Sequence, residues 1–135
     1  MNKGFRFELD QENKILLIRF EGRQLTNESL AEFYTTVRQY SISTDAYAGI
    51  FDFSSVTQVD VSTAFICQLA LGEPAMPRAN ERGRIVVFTN DVGFGLARMF
   101  QMLGEPTRPL FLAVRTLDEA LEALGVQSPQ FERLA

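Results

Sequence analysis

The side chains that most often carry chemistry near neutral pH are scarce in this chain: its 135 residues include no histidine and one cysteine, Cys67. Ser-His-Asp and Cys-His catalysis are thereby excluded, and general acid–base work loses its commonest agent. A zinc site loses its usual ligands too, leaving carboxylates, which suit magnesium or calcium better. The sequence has neither a Walker loop nor an EF-hand loop.

Three groups survive. Asn90-Asp91-Val92-Gly93-Phe94-Gly95 reads as a turn between a strand and a helix, where free amides around Asn90, Asp91, Gly93 and Gly95 would take an anion or small ligand. No further glycine completes a dinucleotide fingerprint, Asp91 opposes a phosphate, and a plain helix cap at Asn90 or Asp91 explains the same letters. The second group is Asp52, Asp60 and Asp91, at or near the C-terminal ends of strands, where open α/β sheets place their ligands. Aspartate is equally a cap and turn residue at such places, so no metal ligand set is assigned and no cofactor is expected. The third is the segment 54–63, with hydroxyls at Ser54, Ser55, Thr57, Ser62 and Thr63. Ser62 or Thr63, in a first helical turn, would accept a phosphate whose charge the helix dipole favours. A polar loop ending in an Asp60 or Ser62 cap is the structural alternative.

These residues need a frame. Phe5, Phe7 and Leu9 alternate with Arg6 and Glu8, predicting a half-buried strand, and residues 14–21 predict a second strand after a turn at 10–13. Leu30, Phe33, Tyr34 and Val37 predict a helix over 27–40, capped by Thr26 or Asn27. Strand and helix then alternate: strand 48–53, helix 62–71, strand 84–89, a helix with Leu96, Met99, Phe100 and Leu103 on its apolar face, and strand 110–114. A capping box of Thr116 and Glu119 opens the last helix, which buries Leu117, Leu121 and Leu124 and stops at Gly125. Strands joined through helices lie parallel, so the expected fold class is α/β: a mixed five-stranded sheet with about four helices, in one domain over 1–135. Leu71-Gly72-Glu73-Pro74 with Pro77 recurs as Leu103-Gly104-Glu105-Pro106 with Pro109. Both copies are read as helix stops.

Hydrophobic residues make up 46% and charged residues 22%, the balance of a chain that folds by itself. Net charge is −4, and no Lys/Arg stripe could neutralise a run of phosphates, so nucleic acid is not an expected partner. Arg78, Arg82 and Arg84 read as an ordinary solvated stretch. No apolar run approaches the roughly 20 residues of a membrane helix, and residues 1–10 lack a secretory core, so no membrane insertion is expected. A lone cysteine fits a reducing compartment, and the cytoplasm is the expected location.

Residues 50–63, Ile-Phe-Asp-Phe-Ser-Ser-Val-Thr-Gln-Val-Asp-Val-Ser-Thr, resemble the strand and loop of STAS domains, and Leu117-Asp118-Glu119-Ala120-Leu121 is similar to their closing helix. The family includes the bacterial anti-sigma-factor antagonists and the cytosolic domains of sulfate transporters. The resemblance implies a non-enzymatic regulatory module that binds a protein partner, such as an anti-sigma factor or kinase, through Asp60, Val61, Ser62 and Thr63. It leaves a homodimer open. Asp60 matches the family aspartate, Val61 stands where the antagonists carry their phosphorylated serine, Ser62 matches the second serine, and Thr63 replaces the glycine. Any phospho-switch would therefore be displaced to Ser62 or Thr63. The chain also resembles the STAS-like relatives of CRAL-TRIO lipid-binding domains. That likeness implies an apolar ligand cavity, with Phe65, Phe94, Met99 and Phe100 as candidate lining.

Overall fold

The computed structural model describes residues 4–41, 47–72, 83–104 and 111–133. The expected proline stops at 74, 77, 106 and 109, the start of the strand at Leu110, and Arg78 and Arg82 lie outside these residues. In chain order the elements are β1 (Phe5–Asp10), β2 (Ile15–Phe20), β3 (Gln24–Thr26), α1 (Asn27–Ser41), β4 (Ala48–Asp52), β5 (Gln58–Asp60), α2 (Thr63–Gly72), β6 (Arg84–Val87), α3 (Asp91–Gly104), β7 (Phe111–Val114), α4 (Leu117–Ala123) and β8 (Glu132–Arg133).

The fold is α/β, and its main sheet has six strands in the order β7-β6-β4-β2-β1-β8. Strands β2, β4, β6 and β7 run parallel, β1 is antiparallel to β2, and β8 is antiparallel to β1. The five expected strands are all present. Among the described residues the sixth, β8, pairs with β1 at Glu8↔Arg133 and Leu9↔Glu132. A second, two-stranded sheet joins β3 to β5 in parallel, with Thr26 opposite Asp60. It was not expected, and it proves central to the candidate site.

Strand alternation sorts the core into two faces. Phe5, Phe7, Leu16, Ile18, Phe20, Phe51, Phe53, Val86 and Phe88 point to one face, beneath Phe33 and Val37 of α1 and Ala97 of α3. Phe53 is the hub of an aromatic stack, 4.8 Å from both Phe33 and Phe88 between ring centroids. Ile15, Leu17, Ile50, Ile85 and Val87 point to the other face, against Ala120 and Leu121 of α4. At roughly 25 cal/mol per Å² of apolar surface removed from water, these two layers dominate the stability of the fold. A third cluster, Ile66 and Ala70 of α2 with Phe100 of α3, ties the helices together.

The inward face of α3 differs from expectation. Gly93, Ala97, Phe100 and Gly104 are buried, Leu96 and Met99 pack in the inter-helix cluster, and Leu103 is 51% exposed. Small residues turn inward because the sheet comes very close: a Cβ on Gly93 would lie 2.3 Å from the Phe88 ring. Helix α4 opens as expected, with Thr116 and Glu119 satisfying each other's backbone donors. It ends at Gly125, whose φ of +73° a side chain would disfavour. The Gly125 and Val126 amides return to the Glu122 and Leu121 carbonyls.

Candidate functional site

The segment after β4 crosses the C-terminal ends of the parallel strands, and its polar atoms stitch it to its neighbours. The Ser54 amide donates to Asp52 Oδ1 at 2.9 Å. Ser55 Oγ donates to the Phe20 and Gly22 carbonyls at 2.6 and 2.9 Å. The Thr57 and Gln58 amides both reach the Arg23 carbonyl. Val56, 2% exposed, pins the turn from below. Every one of these bonds points back into the body of the protein, so the chain enters β5 already fixed.

The β3–β5 pairing then sets two helix starts side by side. Thr26 caps α1: its Oγ1 accepts from the Ser29 amide at 3.1 Å, and Ser29 Oγ accepts from the Thr26 amide at 2.9 Å. Asn27, the other candidate cap, instead reaches across the gap, and its Oδ1 accepts from the Ser62 amide at 3.2 Å. Ser62 caps α2 in turn, its Oγ accepting from the Phe65 amide at 3.1 Å. Asp60, Ser62 and Thr63 are exposed on this ledge. Val61 is half-buried and packs against both the main core and the inter-helix cluster. Val61 is thus an apolar anchor beneath the ledge, and a hydroxyl there would replace packing contacts. Ser62 presents its hydroxyl at the surface, already engaged as a helix cap.

The second candidate loop lies alongside. Asn90 Nδ2 donates to the Thr57 carbonyl at 3.3 Å, and Thr89 Oγ1 to the Ser54 carbonyl at 3.2 Å, so the loops at 54–62 and 89–91 form one surface. The Gly93 amide donates to Asn90 Oδ1 at 2.9 Å and the Phe94 amide to the Asn90 carbonyl, so these two donors are already engaged. Asp91 sits at the helix start and pairs with Arg115 Nη1 at 2.7 Å, while the Arg115 guanidinium lies 4.2 Å from the Phe94 ring centroid. Gly93 serves close packing, and Gly95 faces open space. The loop is a capped helix start braced from β7.

The three aspartates of the metal reading go separate ways. Asp52, 3% exposed, accepts from Arg19 Nη1 at 2.9 Å, and Arg19 Nε also binds Glu8 Oε2 at 2.7 Å. Arg6 Nε reaches the same Glu8 oxygen at 3.1 Å. This ladder of alternating charge crosses β1, β2 and β4 and satisfies carboxylates that would otherwise be costly to bury. Among the described residues no three His, Cys, Asp or Glu side chains gather as a metal site would require. The ladder was not foreseen. Its signal was charge set inside apolar strands, Arg19 between Ile18 and Phe20 and Asp52 between Phe51 and Phe53.

The aromatics proposed for a lipid cavity are divided between clusters. Phe100 packs edge-on against Phe111 at 4.9 Å and Tyr34 at 6.3 Å, with Met99 in the same cluster, whereas Phe94 lies against the main core. Among the described residues no helix is long and apolar enough to cross a membrane. No family model, curated protein or solved structure matches the chain, so the site rests on its own geometry.

Proposed function

We propose that this chain is a non-enzymatic, cytoplasmic regulatory module that docks a protein partner, of the anti-sigma-factor or kinase kind, through the ledge at Asp60, Ser62 and Thr63. One observation carries the reading. The ledge is exposed, yet its backbone is held by the β3–β5 pairing, the Asn27–Ser62 bond and the Val61 anchor. A surface ordered before contact loses little conformational freedom on binding, which favours affinity. The absence of histidine fits a domain that acts by contact. Ser62 and Thr63 are the hydroxyls at which a partner kinase would alter that contact, by adding charge at a helix start.

The test is a pull-down from the native host with wild-type protein and an Asp60→Arg variant. Reversing one exposed charge should leave stability within about 0.5 kcal/mol, so any change reports on recognition. A specific partner retained by the wild type and lost by the variant is expected. Identical recovery from both would reject the reading, and bound apolar mass in native mass spectrometry of the purified protein would favour a ligand carrier instead.

A further inference from the structure

We propose that residues 126–133 form a strap that opens and closes over the β1 edge as a unit of its own, latched by the Asp10 carboxylate. Asp10 lies at the end of the sheet opposite the ledge, where β2 and β4 begin. It is fully buried and accepts three hydrogen bonds: from the Asn13 amide at 3.0 Å, from Asn13 Nδ2 at 2.7 Å, and from the Gln130 amide at 3.0 Å. Two of these come from the adjacent turn and one from a residue 120 positions away. The carboxylate therefore keeps its place when the strap leaves, ready to recapture the Gln130 amide.

The strap itself is lightly held. It follows the left-handed stop at Gly125, contributes Val126 and Phe131 as partly buried contacts to the α4-side core, and has no fully buried residue between 126 and 133. Strand β4, by comparison, is buried along its whole length. A surface segment without a buried residue opens well below the free energy of global unfolding. Opening removes the Gln130 donor from Asp10 and withdraws Phe131 from the α4-side core.

Native-state hydrogen exchange on the whole protein tests this. The Gln130 amide should exchange at least about tenfold faster than the amides of β4. Asp10→Asn should speed Gln130 by roughly a further tenfold, as for loss of a hydrogen bond to a charged group, while β4 amides keep their rates. Phe131→Ala, which leaves Asp10 intact, should give the same selective change. Exchange of Gln130 in step with β4, or equal acceleration of both in either variant, would overturn the proposal.

Discussion

The two ends of the main sheet treat polar groups in opposite ways. At the end where the parallel strands begin, Asp10 is withdrawn entirely from water and surrounded by donors. At the end where they finish, Asp60, Ser62 and Thr63 stay exposed, and the bonds that fix them run through backbone amides and neighbouring loops. The first arrangement secures the protein's own structure. The second leaves side chains free to meet something else while denying the backbone freedom to move. The aromatic stack around Phe53 lies at this second end, beneath the ledge, because Phe20, Phe53 and Phe88 stand at or just past the C-terminal ends of β2, β4 and β6.

Substitutions should separate these three regions by size of effect. Phe53→Ala removes the hub of the stack beneath the ledge and should cost about 3–5 kcal/mol in urea unfolding. A variant losing less than about 1 kcal/mol would show that the stack is not what holds the ledge end in place.

Acid should weaken the Asp10 end. Burial works against the charged carboxylate, but the Asn13, Gln130 and Glu12 donors together outweigh it and hold its pKa below the ordinary aspartate value. The folded state therefore binds this proton less readily than the unfolded chain. The stabilisation is present above about pH 4, the unfolded value, and is lost as pH falls through the lower folded value. Asp10→Asn should lose stability near neutral pH and show a shallower further loss below pH 4, measured by denaturant unfolding at a series of pH values. Parallel acid profiles for variant and wild type would place the sensitivity elsewhere.

The ledge should respond least. Ser62→Ala removes the α2 cap and should cost about 1 kcal/mol, while Ser62→Asp, which keeps an accepting oxygen, should restore most of it. Failure of the aspartate to rescue would mean that the hydroxyl does more than cap the helix.

Much of the frame was legible because it rests on local patterns. Five of the six strands of the main sheet announce themselves by alternation or by unbroken apolar runs, β8 with its Glu132–Arg133 sequence being the exception, and the Thr116–Glu119 box with Gly125 marks α4 within a single stretch of sequence. The ledge was legible as a loop but not as a rigid one. Gln24–Thr26 and Gln58–Asp60 are three residues each, too short and too polar for periodicity to reveal, and they pair across 34 positions of chain. Asn27 shows the same limit. Its side chain was a sound candidate for capping its own helix, and only the approach of Ser62 turned it into a bridge. The latch was hidden for a like reason: a turn was read at 10–13, though Asp10 itself closes β1 opposite Ile15, and nothing near it in sequence points to Gln130.

The contact between Gly93 and Phe88 bears on how mutational surveys of this protein would read. Position 93 lies three residues from Asn90 on the candidate surface, and every side chain larger than hydrogen meets the Phe88 ring there. A scan scored by partner binding would mark it as intolerant, indistinguishable at first sight from a contact residue. Scoring abundance alongside binding would tell the two apart, since replacements at 93 should deplete the folded protein whereas those at Asp60 should not.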